Sequence, residues 1–210
     1  MNEFITVKDS VQAEILEKKS KFIATLWHVE SAEEAEKLIK ETRKKYYDAR
    51  HNCFAYRIME ENSLKEKFSD DGEPSGTAGA PMLNILQKNN IANVLVIVTR
   101  YFGGVLLGTG GLLRAYSDSL ISAINNAILV KMCLGSELQA TLDYSEFENF
   151  KYYCKNNDIS IIDCEYIENI VCVLNVEDQK INKLIKDFET KKINLKSLEI
   201  LSKKYMNKSI

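Results

Sequence analysis

This chain is short of the residues that bend a backbone, and it keeps nearly all of them in one place. It has nine glycines and two prolines in 210 residues; eight of the glycines and both prolines fall between Gly72 and Gly111. Only two histidines are present, His28 and His51, which excludes a histidine-rich metal centre. The five cysteines (Cys53, Cys133, Cys154, Cys164, Cys172) are odd in number and include no C-x-x-C pair. That argues against a disulfide framework or a zinc site and for reduced thiols in the cytosol. Long apolar runs are missing too: Val94–Val98, the longest, is far too short to cross a bilayer. Met1–Asp9 lacks the basic-then-apolar pattern of a secretion signal. These absences lead to the expectation of a cytoplasmic protein with no membrane partner. Neither sign of charge dominates. A net charge of −2 with 45% hydrophobic and 28% charged residues describes a folded globular chain, not a disordered one.

Charge is spread unevenly along the second half. Residues 134–178 hold ten acidic residues against Lys151 and Lys155, whereas 179–210 hold nine lysines against Asp187, Glu189 and Glu199. This predicts either one negative and one positive face or ordinary solvated helix faces.

The hydrophobic periodicity predicts an α+β protein in two parts. Val11–Leu16 and Phe22–Val29 read as a hairpin turning near Lys18–Lys21. Ser31 with Glu34 forms a capping box that opens a helix through Ala35, Leu38, Ile39, Thr42 and Tyr46. Cys53–Met59 and Glu66–Ser69 read as strands. The glycine region then supplies a loop, a helix over Thr77–Gln87, a buried strand Asn93–Tyr101, a glycine turn and a long helix over Gly110–Ala127. The apolar face of that helix is read as Leu113, Tyr116, Leu120, Ile121, Ile124 and Ile128. From about Leu134 a second pattern begins. It reads as strand Leu138–Tyr144, helix Ser145–Asn156 with Phe147, Phe150 and Cys154 inward, strands Ile159–Glu165 and Ile170–Val176, helix Glu177–Lys191 and strand Leu195–Leu201. That order is the ferredoxin-like plan, with a domain boundary near Cys133.

The glycine region carries the candidate site. It is not a phosphate loop, because Thr109–Gly110 stand where Lys and Ser/Thr are required. Nor is it a dinucleotide fingerprint, because Leu113 replaces the third glycine. The physics does not need either motif. A strand feeding a glycine turn and a helix leaves backbone N–H groups free at the helix N-terminus, where the helix dipole also favours an anion. Two such helix starts are expected, near Thr77 and near Gly110, with Arg100 and Arg114 close by. The anion or nucleic-acid site is therefore read as Ser75, Thr77, Arg100, Tyr101, Gly103, Gly104, Gly108, Thr109, Gly110 and Arg114, with Tyr101 or Phe102 stacking on a base. The alternative is that the glycines permit close packing and the arginines pair with Asp70, Asp71 or Glu73. Asp70, Asp71 and Glu73 admit an acid–base reading or the chemistry of a tight turn before a helix. His51 is a candidate base or a structural histidine, and Cys53 beside it an unsupported nucleophile.

Four segments resemble the YigZ/IMPACT proteins: K-S-K-F-I-A (Lys19–Ala24), A-R-H-N-C-F-A-Y-R (Ala49–Arg57), S-D-D-G-E-P-S-G-T-A-G-A-P (Ser69–Pro81) and V-T-R-Y-F-G-G-V-L-L-G-T-G-G-L-L-R-A-Y (Val98–Tyr116). The resemblance implies a bacterial two-domain member, with a signature domain over 1–133 and a ferredoxin-like domain over 134–210. The first would be like the second domain of a small-subunit ribosomal protein and domain four of elongation factor G, the second like that factor's domain five. Eukaryotic relatives regulate translation through an additional N-terminal domain that is not seen in this sequence. No catalytic residues, metal or cofactor are implied. The leading expectation is a non-enzymatic protein associated with nucleic acid or the ribosome, a translation regulator. The alternatives are an enzyme acting on a phosphorylated small molecule and a protein-interaction regulator. The oligomeric state is left open.

Overall fold

The computed structural model describes residues 3–60 and 63–207. The chain divides into two units, Phe4–Val130 and the remainder from Lys131 onward together with the first residues.

In the first unit, strands β2 (Val11–Glu17), β3 (Ser20–His28), β4 (His51–Glu60), β5 (Ser63–Ser69) and β6 (Val94–Tyr101) form one antiparallel sheet in the order β2-β3-β6-β4-β5. Strand β6 sits at its centre, which explains its unbroken apolar run. Val94, Val96 and Val98 face one core, while Leu95 and Ile97 face the other. A strand covered on both faces has no need of polar alternation. Helices α2 (Gly79–Lys88) and α3 (Gly108–Asn126) cover the first face, and α1 (Ala32–Lys45) covers the second.

Ser31 caps α1 as expected, its Oγ accepting from Glu34 N–H at 3.1 Å, and Glu34 reaches back to Glu30 N–H. Strand β1 (Glu3–Val7) was not anticipated: too short to show a period, it is held by Ile5 N–H donating to Asn90 O and Ala92 N–H to Ile5 O. The face of α3 also needs correction. Leu112, Ala115, Tyr116, Ser119, Leu120 and Ala123 are buried, whereas Leu113, Ile121 and Ile128 are exposed. Ala115, Ser119 and Ala123 let the helix lie close on the sheet, and with Leu112 they turn its buried face away from Leu113 and Ile121.

In the second unit, β7 (Leu129–Leu142), α4 (Phe147–Asn156), β8 (Ser160–Tyr166), β9 (Ile170–Glu177), α5 (Asp178–Glu189) and β10 (Ser197–Asn207) follow one another. The strands lie antiparallel in the order β10-β7-β9-β8. Leu138, Ala140 and Leu142 of β7 and Ile170, Cys172, Leu174 and Val176 of β9 point to one face, under Phe150 and Cys154 of α4 and Ile181 and Leu184 of α5. Phe147, expected inward, is only partly buried.

Of the two readings of the uneven charge, ion pairs between the two segments favour ordinary solvated faces over two opposed ones. Lys180 pairs with Glu177 and Asp158, Lys196 with Asp143, Lys203 with Asp178 and Lys204 with Glu137. The basic C-terminal segment folds back onto the acidic one, and charges segregated along the chain are interleaved in space. Lys208 lies outside the described residues.

Candidate nucleic-acid interface

The loop between β5 and α2 is organised by its own carboxylates. Asp70 Oδ1 accepts from the N–H groups of Ala78 (3.0 Å) and Gly79 (2.8 Å), and Oδ2 from Gly76 N–H (2.8 Å). Asp70 therefore occupies the N-terminus of α2, one of the two places expected to take an external anion. The same orphan donors and helix dipole that would attract a phosphate are satisfied from within the chain. Asp71 is committed as well: Oδ1 accepts from Arg43 Nη2 at 2.6 Å and Oδ2 from Asn52 N–H at 2.8 Å. Thr77 is buried and donates to Pro74 O, while Ser75 is exposed on the loop. The D-D-G-E-P-S-G segment is thus turn and cap chemistry, and neither aspartate is free for acid–base work.

Beneath this loop lies a buried polar cluster. Arg100 is 5% exposed, and its Nη1 donates to Glu73 Oε1 at 2.7 Å. Tyr116 Oη donates to the same oxygen at 2.8 Å. The Cys53 thiol lies within donating distance of Asp70 O (3.0 Å) and Tyr116 Oη (3.3 Å). His51 Nδ1 is 2.8 Å from Asp71 O, so Nδ1 carries the hydrogen; Nε2 is left 3.9 Å from Glu73 Oε1. Burial pushes the Cys53 thiol up to about 12 and the Tyr116 phenol well above its ordinary value. Both stay protonated at neutral pH, which removes the thiol nucleophile weighed from sequence. Arg100 follows the pairing alternative and not the anion reading, its partner being Glu73. It does not present its charge to solvent but braces the loop through Glu73, with its guanidinium 5.4 Å from the Phe22 ring and 5.6 Å from the Phe102 ring.

The second helix start is different. Helix α3 begins at Gly108 (φ +73°) with no side-chain cap, and Gly108, Thr109 and Gly110 are all exposed. Arg114 stands exposed one turn further on, on the face of Gly110. The loop that leads into α3 is pinned at Gly103. A Cβ there would lie 2.0 Å from the Lys19 carbonyl, so only glycine allows this approach, and Gly103 N–H donates to Ser20 Oγ at 3.2 Å. This contact brings the β2–β3 turn beside the glycine loop. Lys18 and Lys19, the two turn residues, both adopt positive φ (44° and 67°) and are exposed. Lys18, Lys19 and Arg114 form no ion pair among the described residues. Phe102 (46% exposed), Val105 and Leu106 (84%) project from the same loop, and Gly104 there is open to solvent. Tyr101, expected to stack on a base, instead donates to Asp48 Oδ1 at 2.8 Å, and that bond holds its phenol up at about 12. Phe102 is the exposed ring.

Of the residues read from sequence, the structure gathers Gly103, Gly104, Gly108, Thr109, Gly110 and Arg114 at this tip. It assigns Arg100, Tyr101, Thr77, His51, Asp70, Asp71 and Glu73 to internal bonding. Lys18 and Lys19 were missed as site residues. A Lys–Lys pair at a hairpin turn was the available signal, because left-handed turn positions ordinarily go to Asn, Asp or Gly.

The fold and this tip define a two-unit protein of antiparallel sheets and covering helices, with an uncapped helix start carrying an arginine on its first unit. Residues 18–124 match the Impact N-terminal domain, and the chain belongs to the IMPACT family. The family member YvyE of Bacillus subtilis is 36% identical over 182 residues, 87% of this chain and 83% of that one. A solved structure described as a hypothetical protein superposes with a TM-score of 0.63 at 29% identity, covering 96% of this chain and 98% of the other. A second, the two-domain translational regulator Yih1, aligns over 59% of this chain and 47% of its own length at 26% identity and a TM-score of 0.35.

Proposed function

We propose that this protein is a non-enzymatic RNA-binding protein that acts at the ribosome as a translation regulator, and that the tip of its first unit holds RNA phosphate. The observation that carries this reading is the α3 N-terminus. Its backbone donors have no side-chain cap, unlike those of α2; Arg114 stands exposed one turn along the helix, and the Gly103 contact brings the exposed Lys18–Lys19 turn against the loop that leads into it, none of the three cations having an ion-pair partner among the described residues. Backbone N–H groups, lysines and an arginine position a phosphate backbone, and an exposed phenylalanine offers a stacking face to an unpaired base. The enzyme reading loses its proposed groups, because Asp70 and Asp71 serve the loop. The finer analogies belong to the same proposal: the β-α-β-β-α-β order of the second unit, with sheet order β10-β7-β9-β8, supports a ferredoxin-like unit like domain five of elongation factor G. The first unit is then the domain-four-like partner.

Fluorescence anisotropy with a labelled single-stranded RNA and a ribosomal RNA hairpin tests it. The triple variant Lys18→Ala, Lys19→Ala, Arg114→Ala is expected to weaken binding by about tenfold or more near 0.1 M salt. Unchanged affinity in that variant, with its fold intact by circular dichroism, would remove the tip from RNA binding.

A further inference from the structure

The one close thiol pair in the described structure lies far along the chain from the glycine tip, in the second unit. Cys164 of β8 is paired directly opposite Cys172 of β9, and their Sγ atoms are 3.1 Å apart. This juxtaposition depends on an irregularity. The register slips between Ile161 and Asp163, so one extra residue sits in β8. Without that bulge, alternation from Ile161 would turn Asp163 inward and Cys164 outward; with it, Ile161 and Cys164 both pack on the core. The bulge re-aims one side chain, and the side chain it re-aims meets a thiol.

The two cysteines differ in access. Cys172 is fully buried, whereas Cys164 is partly exposed on an edge strand. A disulfide needs the sulfurs at about 2.05 Å with Cα atoms roughly 4.4–6.8 Å apart, a separation that directly opposed antiparallel residues already have. Closing the bond asks for a movement of about 1 Å by side chains at a sheet edge.

We propose that Cys164 and Cys172 are a hydroperoxide-oxidisable dithiol, a modification site that closes to a cross-strand disulfide. Cys164 gives its proton to solvent, and its thiolate attacks the outer oxygen of the hydroperoxide. The S–O bond forms, the O–O bond breaks, and the alcohol or water leaves with a proton. Cys172 Sγ then attacks the Cys164 sulfenic sulfur. The S–S bond forms, the S–O bond breaks, and hydroxide leaves as water with the proton of Cys172. Two thiols are oxidised by two electrons and one hydroperoxide is reduced to an alcohol and a water. Cys172 is fully buried and Cys164 partly exposed, so the hydroperoxide reaches Cys164 first, and the 3.1 Å separation then places Cys172 against the sulfenic sulfur. The product ties the edge strand β8 to β9 across the turn at 167–169.

Trypsin makes the test direct, because no lysine or arginine lies between Lys155 and Lys180, so both thiols fall in one peptide. The folded full-length protein is treated with hydrogen peroxide, alkylated without reductant, digested and weighed. The expected result is peptide 156–180 lighter by two hydrogens and unalkylated, restored to two alkylated cysteines by dithiothreitol. Alkylatable thiols in the unfolded protein fall from five to three. In Cys172→Ser the peroxide product is expected to stop at sulfenic or sulfinic acid on Cys164, and Cys164→Ser is expected to leave Cys172 unoxidised. The proposal is overturned if both thiols are still alkylated after peroxide, if Cys164 in the wild type goes to sulfinic acid with Cys172 free, or if Cys154 takes part in the bond. The wild-type measurement stands even where a variant folds poorly.

Discussion

Asp70 caps α2 from nine residues upstream of Gly79, its two oxygens taking three backbone N–H groups. Removing that carboxylate leaves three donors at a helix start and unties the loop that carries Asp71 and Glu73. Asp70→Ala is expected to cost about 1–2 kcal/mol, at the upper end of the range for a lost N-cap. Urea unfolding followed by Trp27 fluorescence measures it, since Trp27 is the only tryptophan and packs in the first unit. A loss below a few tenths of a kcal/mol would mean that water replaces the carboxylate. Glu73 works at the same scale from inside. It neutralises Arg100 in a site from which solvent is excluded, so the pair brings order to the loop more than net stability.

At the scale of elements, the β2–β3 turn is built against its own sequence. A two-residue turn with both φ values positive favours Asn-Gly, and here it is Lys18-Lys19. Each L-residue in the left-handed region costs about 1–2 kcal/mol. The strain is consistent with a turn kept for its charge rather than for folding. The double variant Lys18→Asn, Lys19→Gly is expected to raise stability by about 1 kcal/mol and to weaken RNA binding. A more stable protein with undiminished RNA affinity would dissociate the turn from the interface. The glycine loop is the matching element, since Gly103 meets the turn backbone to backbone.

Across the whole molecule the electrostatics are local. The net charge is −2, and Lys180, Lys196, Lys203 and Lys204 of the C-terminal segment each pair with a carboxylate, so these four offer little free charge to attract RNA indiscriminately. On the proposed function, binding through the tip would involve about three phosphates, one for each of Lys18, Lys19 and Arg114. The slope of log Kobs against log salt for single-stranded RNA is expected near −2, from about −0.7 per phosphate. Titrations between 0.05 and ~0.3 M salt read it directly. A slope several times steeper would place most of the interface elsewhere.

Much of the fold was legible in the residues themselves. The alternation in β2, the Ser31–Glu34 cap and helical period of α1 and the apolar run of β6 are local patterns, and each marks its element within a few residues. The glycine cluster likewise marked the region where backbones approach closely. Which charges remain free there was not legible, because it depends on partners far apart in sequence. Asp70 reaches α2, Glu73 reaches Arg100, and Gly103 lands on Lys19. The sequence by itself determined the presence and order of every α-helix and strand but β1, and the region of the candidate site, since periodicity and capping act over a few residues. Only the tertiary structure decided that one helix start is filled and the other open, and that the Lys18–Lys19 turn meets the glycine loop at Gly103. A carboxylate can satisfy a helix N-terminus from any point in the chain that the fold brings within about 3 Å.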